Sequence, residues 1–144
     1  MIIKKRSISG LAIIILLILM ILLSSCSTGR KEVKWDSNNT TYMVASWYGK
    51  DYQGKKTASG EIFDMYGLTA AHKTLRLGTE LLVTNPKNNQ SAKVTINDRG
   101  PYIRGRDLDL SYQAAKEVGM IGAGIARLRV VYLGINHYYD KYIK

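Results

Sequence analysis

Three short segments carry side chains able to move a proton. Lys56-Thr57-Ala58-Ser59-Gly60-Glu61 sets a carboxylate beside a flexible glycine, and Leu68-Thr69-Ala70-Ala71-His72 ends an apolar stretch on an imidazole. Ile96-Asn97-Asp98-Arg99-Gly100-Pro101 places a second carboxylate at the end of an apolar run, just before a Gly-Pro turn. Carboxyl and imidazole groups are the commonest general acids and bases, and a small domain holds such groups on its loops. Each segment also has a plainer reading. Glu61 can be solvated surface charge, His72 a satisfied core or capping residue, and Asp98 a turn-forming residue beside Arg99. The chain has one cysteine, Cys26, and 2 histidines, which excludes an internal disulfide and a Cys/His zinc cluster. No metal and no cofactor is expected.

These residues must be positioned by a small body, since 144 residues make one modest domain. Strand chemistry, rich in Val, Ile, Leu, Thr or Tyr, recurs over Tyr42 to Tyr48, Leu81 to Thr84, Ala92 to Asn97 and Ala126 to Leu133. The run Asn85 to Gln90 reads as the loop of a hairpin, and five glycines punctuate the stretch between Tyr48 and Leu81. One short helix is expected: Ser111 caps it, Ala114, Ala115 and Val118 share a face, and Gly119 ends it. Short strands without βαβ alternation predict a mainly β fold, a barrel or a sandwich, with one or two short helices.

The N-terminus has a different purpose. Lys4, Lys5 and Arg6 precede an uninterrupted apolar run, Leu11 to Leu23, and Ser24 and Ser25 follow it, which is the order of a secretory signal. Thirteen residues at about 1.5 Å each reach roughly 20 Å, short of a hydrocarbon core of roughly 30 Å, so cleavage fits better than a permanent span. Leu23-Ser24-Ser25-Cys26 resembles the bacterial lipobox, which implies that residues 1–25 are removed and that Cys26 carries the lipid anchor. Residues 26–42 are polar and read as a flexible tether, with Val33 and Trp35 isolated in it. Loss of residues 1–25 takes away three bases and no acid, so the charge falls from +10 to about +7. A basic protein held outside the cytoplasm meets anionic wall polymer or lipid headgroups, and nucleic acid is not an expected partner.

Ala45-Ser46-Trp47-Tyr48-Gly49, Thr57 to Glu61, Leu68 to Leu75, Gly78-Thr79, Val83 to Asn85, Ile96 to Tyr102 and Asp109-Leu110-Ser111 together resemble the rare lipoprotein A family of septal-ring lytic transglycosylases, in order and spacing, from about Met43 to Leu133. The resemblance implies a six-stranded double-psi β-barrel over residues 43–134, followed by a basic aromatic tail over 135–144. It also implies an activity: cleavage of the MurNAc–GlcNAc β-1,4 bond of peptidoglycan without water, leaving 1,6-anhydro-MurNAc ends, in some members on peptide-free strands. Asp98 is then the acid/base, Glu61 and His72 occupy the other catalytic positions, and Arg99 and Asp109 support them. Asp98 and Asp109 are candidates for a close carboxylate pair. The other function class left open is a non-catalytic, expansin-like wall-binding lipoprotein. In either case a monomer is expected, lipid-anchored at the cell envelope: the outer membrane facing the periplasm in a two-membrane cell, the plasma membrane otherwise. Family members often carry a further glycan-binding domain after the barrel, and none is expected in the ten residues of the tail.

Overall fold

A computed structural model describes residues 32–142. The signal segment and Cys26 lie outside the described residues. Six strands, β1 (Thr40–Tyr48), β2 (Thr69–His72), β3 (Thr79–Thr84), β4 (Ser91–Asp98), β5 (Leu108–Ser111) and β6 (Ala126–Ile135), close into a barrel in the order β1-β5-β2-β4-β3-β6. The pairs β1–β5 and β2–β4 are parallel and the other four are antiparallel. β5 therefore threads between β1 and β2, which are consecutive in the chain and do not pair. This is the six-stranded, mainly β barrel that the resemblance implied, with, among the described residues, one α-helix, α1 (Tyr112–Glu117), and two 3-10 turns (Lys50–Tyr52 and His137–Tyr142).

Strict alternation builds the interior. Met43 and Ala45 of β1, Ala92, Val94 and Ile96 of β4, and Leu128 and Val130 of β6 point inward, joined by Leu81, Val83, Leu108 and Leu110. Each large aliphatic side chain so enclosed is worth about 1.5–3 kcal/mol. Closure leaves no strand edge open to pairing with another chain. At one end α1 packs Ala114 and Ala115 onto the core, with Ser111 Oγ accepting the Ala114 N–H at 3.2 Å as the expected cap.

One segment departs from its predicted status. Val33 and Trp35, assigned to the tether, pack partly buried against the core, and the Trp35 ring meets Tyr132 at 5.8 Å. Asp36 organises their approach, its Oδ1 accepting the N–H groups of Asn38 and Thr40. The tail is also docked: Tyr139 is buried against Gly78, where φ is +88° and an added Cβ would lie 2.7 Å from the Asn136 carbonyl. Only glycine suits that position.

Candidate active site

The cross-strand register aligns four side chains in one row. Ser46 of β1 is opposite Asp109 of β5, Asp109 is opposite Ala71 of β2, and Ala71 is opposite Asp98 of β4. These residues alternate with the inward-facing Ala45, Leu108, Leu110 and Ala70, so the row lies on the outer face of the barrel. Asp98 reaches it through a bulge: Ile96 pairs with Ala70 and Asp98 with Ala71, which leaves Asn97 as the extra residue and turns the end of β4. The two aspartates stand two strand spacings apart, about 10 Å between Cα atoms, with Ala71 on the strand between them.

The twenty-residue connection from β1 to β2 folds back over this row. Gly54 N–H and Phe63 N–H close it on itself through the carbonyls of Phe63 and Lys55, and a bridge joins Lys56 to Ile62. Two bonds dock its tip on the end of β4: Ser59 N–H donates to the Asn97 carbonyl at 2.9 Å, and Ala58 N–H to Asp98 Oδ1 at 2.8 Å. The Arg99 N–H also donates to Asp98 Oδ1, at 2.8 Å. One oxygen of Asp98 is thus held by two backbone donors, while Oδ2 receives no hydrogen bond from the described residues. Asp109 is held from the other side, its Oδ1 accepting from Ser46 Oγ. Glu61 comes with the covering loop, and its Oε2 accepts from Asn97 Nδ2 at 3.0 Å and Ser59 Oγ at 3.2 Å.

The covering loop thus brings Glu61 to the end of β4 that carries Asp98, while Asp109 stands apart from them, across Ala71. His72 is placed differently. On β2 it alternates with Ala71, and its Nδ1 accepts the N–H groups of Thr74 (3.1 Å) and Leu75 (3.0 Å), which assigns the ring proton to Nε2. Burial pushes its pKa down to about 4, with Arg99 and Lys73 acting in the same direction and Asp107 against it. It is a neutral residue that shapes the turn after β2. Arg99 supports the same turn, its Nη1 donating to the carbonyls of Leu75 (2.8 Å) and His72 (3.3 Å). Its guanidinium thereby serves the backbone beside the site.

Tyr48 stands beside both carboxylates and is not among the site residues expected from the sequence. Stacked on Phe63 at 4.5 Å and edge-on to Tyr52, it buries a hydroxyl whose neighbour is the Thr69 hydroxyl, close enough to lower its pKa slightly but outside good hydrogen-bond geometry. Burial first, then the negative charges of Asp98 and Asp109, push its pKa far above the ordinary phenol value, so it is a permanent O–H donor beside both carboxylates. The Thr69 hydroxyl and the Asn97 side-chain oxygen are likewise buried without partners. Buried polar groups are seldom left unpaired, and their concentration here marks the part of the molecule built to meet another one. The signal in the sequence was a tyrosine two residues after Ser46, on the same face of one strand.

A family model described as lytic transglycolase matches residues 40–130. The endolytic peptidoglycan transglycosylase RlpA of Vibrio cholerae is 52% identical over 86 residues, which are 60% of this chain and 33% of the relative. The protein of the same name from Helicobacter pylori strain J99 is 50% identical over 91 residues, 63% of this chain and 29% of the relative. The chain thus spans about a third of the length of these curated relatives. Among solved structures, Streptomyces papain inhibitor superposes with a TM-score of 0.56 at 15% identity, covering 70% of this chain and all of that one. A mutant Clavibacter michiganensis expansin in complex with cellohexaose gives 0.54 at 24% identity, covering 66% of this chain and 50% of that one. At such identities the two structures speak for the fold alone.

Proposed function

We propose that this chain, which belongs to the lytic transglycolase family of double-psi β-barrels, is an endolytic peptidoglycan transglycosylase that cleaves the MurNAc–GlcNAc bond and leaves 1,6-anhydro-MurNAc ends. The observation that carries the proposal is Asp98, with one oxygen pinned by two backbone N–H groups and the other open under the covering loop.

Ala71 between them is buried, whereas Asp98 and Asp109 are both partly exposed, so a sugar ring is engaged by the two carboxylates from the solvent side. The protonated Oδ2 of Asp98 gives its proton to the glycosidic oxygen as the MurNAc C1–O bond breaks, and GlcNAc leaves with a free 4-hydroxyl. The carboxylate so formed then takes the proton of the MurNAc C6 hydroxyl as that oxygen closes on C1. The proton returns to Oδ2, no water is consumed, and the anhydro ring is the product. One carboxyl group suffices because acid and base act in turn, whereas a hydrolase divides the work between two. Pinning Oδ1 keeps Oδ2 directed at the substrate throughout. Asp109, fixed by Ser46, supplies negative charge toward the positive charge that develops at C1. Glu61 secures Asn97 and thereby the bulge that aims Asp98, and Tyr48 offers its proton to a substrate oxygen in the groove. Tyr52, Ile62 and Tyr66 on the covering loop and Tyr102 after β4 are exposed and offer apolar faces to a glycan strand.

In this reading Cys26 carries acyl chains, residues 1–25 are removed, and the barrel works as a monomer tethered to the envelope membrane through residues 26–31. Incorporation of labelled fatty acid, lost in Cys26→Ala, tests the anchor. The activity is tested by digesting purified peptidoglycan, with and without stem peptides, and weighing the products. Anhydro-muramyl ends support it, and sacculi that are bound but never cut favour the wall-binding alternative.

A further inference from the structure

The outer face of β1 continues past the acidic row. Residues 42, 44, 46 and 48 share it, so Tyr42 lies about 13 Å from Ser46 along the strand. There a pocket of about 610 Å³ opens between β1, the start of β6 and the β3–β4 turn, lined among others by Tyr42, Val44, Pro86, Lys87, Ile125 and Arg127. Its floor is apolar and exposed, Tyr42 being half accessible and Ile125 nearly so. Its rim is cationic. Arg127 lies over one face of the Tyr42 ring at 4.9 Å, Lys87 stands across from it, and Arg129 is the cross-strand neighbour of Tyr42 on the same outward face. None of these three cations makes an ion pair among the described residues. The adjacent carboxylate, Asp107, is taken up by the Val44 N–H at 3.0 Å.

Two unpaired cations lining an apolar floor, Lys87 and Arg127, with Arg129 next to Tyr42 on the same face, attract an anion that brings apolar surface with it. We propose that this pocket is a second subsite for the wall polymer, holding a carboxylate-bearing part of the strand being cleaved at the acidic row. The proposal rests on the transglycosylase reading for the identity of the strand. It adds a site that sits on one continuous face with the aspartates but has the opposite charge. The arrangement separates two tasks. The acidic groove engages sugar rings at the scissile bond, and the basic pocket engages the carboxylates that recur along the strand, either the lactyl group of a peptide-free MurNAc or a stem-peptide carboxylate.

Co-sedimentation of the full-length chain, in detergent, with insoluble sacculi tests this. The double variant Arg127→Glu/Lys87→Glu should weaken the Kd for sacculi about tenfold and raise KM in proportion, because two exposed attractions become repulsions. It should also flatten the salt dependence of wild-type binding. Lys87→Glu alone, on a turn where no strand pairing is at risk, should weaken Kd about threefold, which keeps the test valid if the double variant misfolds. An effect that persists on amidase-stripped sacculi identifies the lactyl carboxylate, and one confined to intact sacculi identifies the stem peptide. Unchanged Kd and KM for both variants on both substrates overturn the subsite. So does a loss confined to vesicles containing phosphatidylglycerol. If wild type forms no anhydro ends while the variants still lose affinity for sacculi, the cleavage reading falls and the subsite stands.

Discussion

Tyr48 and Tyr42 lie six residues apart on the same outward face of β1, yet their surroundings are opposite. Tyr48 is under the β1–β2 loop, stacked on Phe63, with two carboxylates nearby and no well-aligned hydrogen-bond partner for its hydroxyl. Tyr42 is open to solvent with a guanidinium on its ring. The strand supplies the same residue at the same periodicity. What differs is cover: the twenty-residue loop encloses the Tyr48 hydroxyl beside two carboxylates, and the uncovered part of the same face leaves Tyr42 exposed among cations.

The largest expected effect breaks the covered half chemically. Asp98→Asn keeps an oxygen for the Ala58 and Arg99 N–H groups but cannot cycle a proton, so anhydro-product formation should fall by about 10² to 10⁴ while the melting temperature barely moves. If Asp109→Asn abolishes cleavage and Asp98→Asn does not, the two carboxylates have the reverse roles.

A second test uses the turn after β2, which supports the groove. Because the folded-state pKa of His72 is depressed from 6.5 to about 4, the unfolded chain binds a proton there that the folded chain refuses. That contribution is complete above pH 6.5 and is lost as pH falls toward 4, on the order of 3 kcal/mol. Denaturant titrations between pH 7 and pH 4 should show the loss in wild type. In His72→Asn, whose side-chain oxygen can accept the same two N–H bonds, the slope should be flatter; an equal slope would assign it to other groups.

Tyr48→Phe sharpens the contrast between the two tyrosines. Removing a buried hydroxyl whose only neighbour is the poorly aligned Thr69 hydroxyl should leave stability within about 1 kcal/mol of wild type and lower kcat, a loss of rate that a purely structural tyrosine does not produce. Tyr42→Phe should change neither stability nor kcat measurably. The smallest effect belongs to the segment ahead of β1. Trp35→Ala removes a ring contact with Tyr132 and should cost about 1–2 kcal/mol in thermal denaturation, whereas deleting residues 1–31 should leave the melting temperature of the remainder unchanged.

Four of the six strands were legible because their alternation persists for six residues or more, as in Ser91 to Asp98. β2 and β5 were not, since Thr69-Ala70-Ala71-His72 and Leu108-Asp109-Leu110-Ser111 are four residues each, one of them alanine-rich, and give periodicity too little length. Trp35 was misread for a related reason. An isolated aromatic in a polar stretch has no periodic partner, and its contact with Tyr132 is made across ninety-seven residues of chain.

By itself the sequence determined the type of groups available, two aspartates, a glutamate, a histidine and a cationic surplus, along with the motif order that names the family and the apolar segment before Cys26. Those are properties of composition and local order. Only the tertiary structure decided that Asp98 and Asp109 flank Ala71, that His72 turns to a backbone turn instead of to the carboxylates, and that Tyr48 is sealed beside them while Tyr42 is not. Those outcomes depend on register between strands that are not neighbours in the chain and on where a loop comes to rest, and a one-residue slip in either would send every side chain of the row to the other face.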